Sequence, residues 1–134
     1  MINSLPIQAF GLIVALLLPL IAGCTKDGRP PLSTVHGRVT LDGKPLAHAS
    51  VVFHPASGVR ESGGTTDENG EYQLKYIGDV MGGVVGSNRV RITKQLSPDP
   101  SSQIVPARYN TNSTLVNDVI AGDNPIDFDL TSAR

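Results

Sequence analysis

The sequence is short of the residues that build metal centres and disulfide frameworks. Its 134 residues include one cysteine, three histidines and no tryptophan. One cysteine forms neither an internal disulfide nor a zinc site of several thiolates. The histidines, His36, His48 and His54, are not spaced as i,i+2 or i,i+4 pairs, whereas a metal site needs three or four convergent ligands. We therefore predict no metal site and no cofactor.

An excess of positive charge is also missing. Eleven Lys and Arg residues against twelve Asp and Glu residues give a net charge of -1. Nucleic-acid-binding proteins carry a strongly basic face that neutralises phosphates. There is no Gly-x-Ser-x-Gly motif of a serine hydrolase either. These absences predict a protein that binds no nucleic acid and is not an enzyme.

What the chain does have is an uncharged, apolar beginning. All Lys, Arg, Asp and Glu residues follow Thr25, and residues 9–22 are apolar apart from Gly11 and Pro19. This stretch of 14 residues has the length of a signal-peptide core, whereas a membrane-spanning helix needs about 20 apolar residues. Residues 1–23 are therefore predicted to be a signal peptide.

The apolar stretch ends in Leu20-Ile21-Ala22-Gly23-Cys24, which resembles the bacterial lipobox. The resemblance implies a diacylglyceryl group on the Cys24 thiol, cleavage after Gly23 and acylation of the new amino terminus. The alternative is an uncleaved anchor with an inert cysteine. Because Thr25 rather than Asp follows the cysteine, the enterobacterial sorting rule favours the outer membrane over the inner one. The domain is expected outside the cytoplasm, in a bacterial cell envelope.

Residues 24–34 are polar and proline-rich, without hydrophobic periodicity, and are predicted to form the lipidated Cys24 and a flexible tether. From Val35 onward, apolar residues recur with a period of two, which indicates β-strands. Asp42-Gly43 and Asn69-Gly70 are strong turn signals. The alternating apolar positions include Val35, Val39, Tyr72, Leu74, Val90, Ile92, Ile126, Phe128 and Leu130.

Six or seven short strands, with no amphipathic helix, predict an all-β fold. We expect a single seven-stranded antiparallel Greek-key sandwich of transthyretin or immunoglobulin type over residues 35–130, with a C-terminal tail at 131–134. Most of the aromatic residues should be inside. Arg89 and Arg91 alternate outward on one strand and Asp127 and Asp129 on another, which predicts that these two strands are neighbours.

Two segments carry a family resemblance. Val35–Val51 matches the pattern V-x-G-x-V-x-x-x-G-x-P-L-x-x-A-x-V, and Thr66–Leu74 matches T-D-x-x-G-x-Y-x-L. Both resemble carboxypeptidase-regulatory-like domains, also called transthyretin-like or prealbumin-like. The segment from Val105 to Leu130 is similar to small lipoproteins abundant in planctomycete bacteria. The resemblance implies a seven-stranded sandwich and no activity. Independently of it, Gly37 is predicted to let a ring or a backbone pack close.

Two function classes follow. The first is a membrane-anchored, non-catalytic lipoprotein that acts as a structural or protein-interaction module. The alternative is a carbohydrate- or polymer-binding module, although sugar-binding platforms usually expose aromatic rings. Partners would be the membrane, through the lipid on Cys24, and envelope proteins or polysaccharide.

Two long connections, residues 77–88 and 95–113, are the candidate contact loops. Their candidate partner-contact residues are Met81, Val84, Arg108 and Tyr109, with the valines of the first loop expected to be exposed. Tyr and Arg are enriched in binding hot spots. The alternative interpretation is that Tyr109 closes one end of the sandwich.

Overall fold

The computed structural model describes residues 28–133. The predicted signal peptide 1–23, Cys24 and the first part of the tether lie outside the described residues. Within these described residues, twelve strands follow one another: β1 Leu32–Leu41, β2 Lys44–Pro45, β3 Ser50–Pro55, β4 Ser62–Thr65, β5 Glu71–Gln73, β6 Lys75–Ile77, β7 Val80–Met81, β8 Gly83–Val84, β9 Gly86–Thr93, β10 Val116–Val119, β11 Asp123–Pro125 and β12 Phe128–Leu130. Between β9 and β10 lie two short 3-10 turns, Pro100–Ser102 and Ala107–Tyr109.

The strands form two sheets, which confirms the all-β, sandwich-like prediction. The first sheet is built around β1, which pairs with β11 and β12 along one edge and with β8, β5 and β2 along the other. The second has the order β10-β9-β3-β4-β6-β7. Leu74 separates β5 from β6, so one continuous stretch of chain passes from the first sheet into the second.

The finer description of the sandwich is not confirmed. The chain does not divide into seven strands with Greek-key connections, because several strands are broken into short segments that have different partners. The antiparallel prediction also fails at one place. β1 runs parallel to β11 and β12, with Thr34 opposite Asp123 and Leu41 opposite Leu130.

The predicted neighbourhood of the Val90 and Phe128 strands is wrong. β9 lies between β3 and β10 in the second sheet, whereas β12 lies beside β1 in the first. The two aspartates have other partners. Asp127 Oδ1 accepts the Arg38 backbone N–H at 2.8 Å, and Asp129 Oδ1 accepts the Thr40 hydroxyl at 2.8 Å. Asp127 and Asp129 therefore accept hydrogen bonds from β1, whereas the charge pattern predicted that they lie beside Arg89 and Arg91.

The core lies between the sheets and follows the period-two pattern. Phe53 and Phe128 meet edge to face, with ring centroids 6.2 Å apart, and Tyr72 packs beside Phe128 at the same separation. Burial of one such ring stabilises the fold by about 1.5–3 kcal/mol. With three of the five aromatic residues of this region buried, the prediction that most lie inside is confirmed. The buried hydrophobic residues include Val35, Val39, Val51, Phe53, Tyr72, Leu74, Val90, Ile92, Phe128 and Leu130.

At Gly37, β1 passes very close to the connection between β11 and β12. Tyr72 stands opposite Gly37 on β5, and its hydroxyl donates to the Ile126 carbonyl at 2.7 Å. A Cβ on Gly37 would lie 1.8 Å from that same carbonyl oxygen. Burial, with Asp127 nearby, raises the pKa of Tyr72 well above its ordinary value, which keeps the phenol protonated as a donor. The predicted close packing at Gly37 is confirmed.

The ordered domain starts earlier than the sequence indicated. β1 begins at Leu32 rather than Val35, with Leu32 opposite Val84 and Ser33 opposite Gly83. The Pro31 carbonyl also accepts the Val85 N–H at 3.0 Å. The last residues of the predicted tether are therefore part of the first sheet, because the β8 backbone supplies hydrogen-bond partners for them.

The two ends of the sandwich are named here by the direction of β1. The proximal end, where β1 begins, contains residues 28–31 and the loops at 56–61, 78–79 and 120–122. The distal end, where β1 ends, contains the turns at 42–43 and 67–70, the long connection 94–115 and residues 131–133. The register supports this division, since Ser50 pairs with Thr93 at the distal end and Pro55 with Asn88 toward the proximal end.

Candidate functional site

The candidate residues of the first loop do not lie on a flexible loop. Met81 is exposed on β7, but Val84 is only 3% exposed and pairs with Leu32 in β8. The expected exposure of Val84 is therefore wrong. The glycines allow the burial: a Cβ on Gly83 would lie 3.1 Å from both Leu74 Cδ1 and Val35 Cγ2. A glycine-rich stretch here permits tight packing rather than mobility.

Arg108 and Tyr109 hold the C-terminal tail at the distal end. The Arg108 guanidinium lies 4.8 Å from the centre of the Tyr109 ring and donates to the Thr131 carbonyl. The Tyr109 hydroxyl accepts the Thr131 N–H at 3.2 Å. Asp42 completes the arrangement by accepting the Ser132 N–H at 2.9 Å and the Ser132 hydroxyl at 2.6 Å. We call Asp42, Arg108 and Tyr109 the tail clamp.

The clamp changes the acidity of two of its members. The hydrogen bonds from Ser132 hold the pKa of Asp42 below its ordinary value, because they stabilise the carboxylate. Burial acts to raise the pKa of Tyr109, but the hydrogen bond and charge of Arg108 and the Thr131 N–H outweigh it, so that this pKa is lowered. The lowered pKa of Asp42 favours the carboxylate, which is the state that accepts both hydrogen bonds from Ser132.

The candidate contact residues do not form one patch. Val84 is tied to the first residue of β1, whereas the tail clamp lies beyond its last residue. β1 has 10 residues, which at about 3.3 Å per residue separates these points by roughly 30 Å. Arg108 and Tyr109 use their polar groups on the backbone of Thr131.

A polar groove, which the sequence did not indicate, runs along the stretch where the chain passes between the sheets. Its volume is about 1130 Å³. The outward side chains of β5 and β6 form its centre, with β1 on one side and β4 on the other. It is lined by His36, Gly37, Arg38, Ser50, Gly63, Gly64, Thr65, Asp67, Glu71, Tyr72, Gln73, Lys75, Met81, Pro125 and Asp127.

Two adjacent glycines shape this groove. A Cβ on Gly64 would lie 2.2 Å from the Gln73 carbonyl oxygen, so β4 can approach β5 only with glycine at that position. A Cβ on Gly63 would make only ordinary contacts, 3.5 Å from the Val51 carbonyl oxygen and 3.8 Å from Val52 Cγ2. Because Gly63 has no side chain, the backbone of β4 at this position is not covered by one. This Gly63-Gly64 pair is the sequence signal that could have indicated the groove.

The groove carries charges of both signs, and two of them, Arg38 and Glu71, pair with each other. His36 Nε2 lies 3.0 Å from Asp123 Oδ1, and an Arg38 guanidinium nitrogen lies 3.4 Å from Glu71 Oε1. Lys75 forms no ion pair within the described part of the chain. Such a lining is suited to a polar chain that offers both donors and acceptors.

The histidines are all paired with carboxylates. Besides His36 with Asp123, His48 lies 3.0 Å from Glu68, and His54 lies 2.8 Å from Glu61. Over residues 28–133, no group of three or more His, Cys, Asp or Glu side chains converges in a way that could hold a metal ion. Over the same residues, no helix has the length and hydropathy needed to cross a lipid bilayer.

Comparisons with known proteins give few relatives. No family model matches the chain, and no curated protein matches it. It is similar to a DUF3823 family protein from Parabacteroides merdae, with a TM-score of 0.47 and 13% identity, over 75% of this chain and 46% of that one. It is also similar to a 9R-lipoxygenase from Cyanothece, with a TM-score of 0.33 and 18% identity, over 75% of this chain and 16% of that one. The chain thus spans less than half the length of either protein.

Proposed function

We propose that this protein is a membrane-anchored, non-catalytic lipoprotein of a bacterial cell envelope, whose sandwich acts as a structural or protein-interaction module. The observation that carries the proposal is the lipobox-like cluster ending at Cys24, placed shortly before the first strand of a folded domain. Thr25 after the cysteine favours the outer membrane. In this proposal the domain lies outside the cytoplasm.

The length of the intervening chain supports a domain held close to the lipid. Pro31 is already fixed by its hydrogen bond to Val85. Seven residue steps separate Pro31 from Cys24, and they reach at most about 25 Å. The sandwich would therefore stay beside the membrane surface that holds the acyl chains.

We further propose that the domain is of the carboxypeptidase-regulatory-like kind. The resembling residues have structural roles that support this assignment. The Thr66 hydroxyl donates to the Leu46 carbonyl at 2.6 Å and accepts the Ala49 N–H at 2.8 Å, which joins the two matching segments. Gly70 has a φ of 76°, and its carbonyl accepts the Val39 N–H at 2.8 Å.

Lipid attachment is tested by labelling growing cells with a palmitate analogue. The full chain should be labelled and should fractionate with membranes, and Cys24→Ser should lose both properties. Thr25→Ser, one residue away, is the matched control and should behave like the unchanged protein. Equal labelling of the unchanged chain and of Cys24→Ser would overturn the anchor.

A second candidate, polysaccharide or polymer binding, is favoured by the polar groove. Its donors and acceptors suit a hydroxyl-rich chain, although Tyr72, the aromatic residue in its lining, is buried. Titration with envelope oligosaccharides should shift the amide resonances of residues 63–75, and Lys75→Glu should weaken the binding. Lys44→Glu, in the distal turn, is the control and should have no effect. Absent or scattered shifts would contradict this candidate.

A further inference from the structure

We infer that the proximal end of the sandwich lies directly on the lipid surface, with Val59, Ile77 and Ile120 in the headgroup region. This inference rests on the proposed lipid anchor at Cys24. It adds an orientation for the domain and a second membrane contact, made by the protein rather than by the acyl chains.

The three residues are large aliphatic side chains left open to solvent. Val59 is 41% exposed, Ile77 46% and Ile120 63%. Each comes from a different connection: Val59 from the β3–β4 loop, Ile77 from the β6–β7 hairpin and Ile120 from the β10–β11 loop. Exposed aliphatic side chains on several neighbouring loops are typical of surfaces that are covered in use.

The register places these connections at one end. The β3–β4 loop follows Pro55, which stands opposite Asn88. Ile120 directly follows Val119, which stands opposite Gly86, the first residue of β9. The β6–β7 hairpin leads into Gly82, where a Cβ would lie 3.0 Å from the Ser33 carbonyl oxygen near the start of β1. All three connections thus lie at the end of the sandwich where the chain from Cys24 enters.

Ile120 is held outward by a buried side chain. Asn124 is buried, and its Oδ1 accepts the Ile120 N–H at 2.9 Å. Its Nδ2 donates to the Ile120 carbonyl at 2.9 Å and to the Thr34 carbonyl at 3.0 Å. The backbone of Ile120 is therefore tied to β1, and the side chain cannot turn inward without breaking these bonds. A fixed, outward aliphatic residue beside the chain entry is a preorganised contact.

Lipid is the partner that the geometry favours. The short chain between Cys24 and Pro31 keeps this end within about 25 Å of the acylated residue. Aliphatic side chains partition into the boundary between headgroups and acyl chains, and each buried methylene adds to the binding. Arg60 and the exposed Asp79 both lie at this end, so the proposed contact rests on the aliphatic side chains and not on charge. The acyl chains and the loop residues would then bind the same surface together.

The experiment uses the full chain expressed in a bacterium that acylates lipoproteins, purified and reconstituted in vesicles of phosphatidylcholine and phosphatidylglycerol. Cys24 is the only cysteine, so once it is acylated an introduced cysteine is the single free thiol. Val59→Cys, Ile77→Cys and Ile120→Cys each receive an environment-sensitive dye. Leu96→Cys is the matched control, because Leu96 is 69% exposed on the distal connection. Lipids carrying a quencher near the headgroup should remove most of the fluorescence at the proximal positions and leave that at Leu96 unchanged.

The outcomes separate the inference from the anchor. If the protein floats with the vesicles but no proximal dye is quenched, the orientation is overturned and the anchor remains. Equal quenching at Leu96 and Ile120 also overturns the orientation, because contact is then not specific to one end. If the unchanged protein does not float with the vesicles, the anchor is overturned and the orientation with it.

Discussion

The two ends of the sandwich differ in the side chains at their surfaces. The distal end is closed by polar contacts among its own residues, with the tail clamp holding Thr131 and Ser132. The proximal end presents exposed aliphatic side chains on three connections. Leu96 and Ile104, also exposed, lie on a single distal connection.

The two ends differ in the side chains that they expose, but both contain buried hydrogen bonds. Each end contains a buried asparagine that fixes its loop. At the distal end, Asn110 Nδ2 donates to the carbonyls of Ile92, Val105 and Pro106, at 3.1–3.3 Å. At the proximal end, Asn124 fixes Ile120. The comparison teaches that the β10–β11 loop, which carries Ile120, is held by the same kind of buried amide as the distal connection.

The largest change in stability is expected from a substitution in the middle of β1, the strand that runs from the proximal to the distal end. Gly37→Ala should lower the free energy of unfolding by about 3 kcal/mol, at the upper part of the range for overpacking. The new Cβ would lie 1.8 Å from the Ile126 carbonyl oxygen and would disturb the hydrogen bond that Tyr72 donates to it. Urea denaturation of Gly37→Ala and of the unchanged protein measures the loss in the free energy of unfolding.

Gly63→Ala is the matched control for that change. Its Cβ would find only ordinary contacts, so the midpoint should remain close to that of the unchanged protein. Equal midpoints for Gly37→Ala and Gly63→Ala would contradict the close crossing at Gly37.

The buried asparagines provide a direct comparison of the ends. Asn110→Ala and Asn124→Ala should each cost about 2 kcal/mol, because each removes a buried side chain that makes several hydrogen bonds to the backbone. Thermal denaturation measures the loss, with the exposed Asn112→Ala as a near-neutral control. A cost at Asn110 with none at Asn124 would show that the proximal loops are loosely held, which would weaken the argument for a preorganised contact.

A smaller effect is expected from the surface ion pairs. His54→Gln removes the contact with Glu61 on the outer face of the second sheet, but both side chains are partly exposed. Exposed pairs contribute little, so the expected loss of stability is at most about 0.5 kcal/mol. A loss as large as that of Asn110→Ala in the same denaturation series would show that this pair is a structural contact.

The smallest effect is local and depends on pH. The pKa of Asp42 is lowered below 3.8, so its contacts with Ser132 are fully present above that pH and are lost as the pH falls through the lowered value. The Ser132 amide resonance should therefore move with a midpoint below 3.8, and the proximal amides should not follow it. In Asp42→Asn the same resonance should no longer titrate. A midpoint at or above 3.8 would contradict the clamp.

Local features of the fold were accessible from the sequence. The Asp42-Gly43 turn forms with φ values of 52° and 82°, as expected where two short polar residues join antiparallel strands. Alternation correctly placed Val35, Val39 and Leu74 inside. These predictions succeed because turn geometry and side-chain direction are set by neighbours along the chain.

Features that depend on distant segments were not accessible. The parallel pairing of β1 with β12 and the separation of Arg89 from Asp127 follow from strand order, which alternating charges do not specify. Burial of Val84 depends on Gly83 fitting against Leu74, a contact that a glycine-rich sequence does not reveal. The groove lies where β5 and β6 belong to different sheets, and the Gly63-Gly64 pair alone does not specify that arrangement.

β1 and β12 run parallel, so the chain enters at one end of the sandwich and leaves β12 at the other. This pairing would determine how far a protein fused after β12 lies from the membrane proposed to hold Cys24. The chain enters at one end of β1 and leaves β12 at Leu130, opposite Leu41, at the other. A fused protein or an attached tag would stand roughly 30 Å farther from the anchoring surface than the entry point does, given the 10 residues of β1. With antiparallel first and last strands, the same fusion would instead be pressed against the bilayer. Under the anchor proposed at Cys24, the parallel pairing therefore keeps the end of β12 away from the lipid.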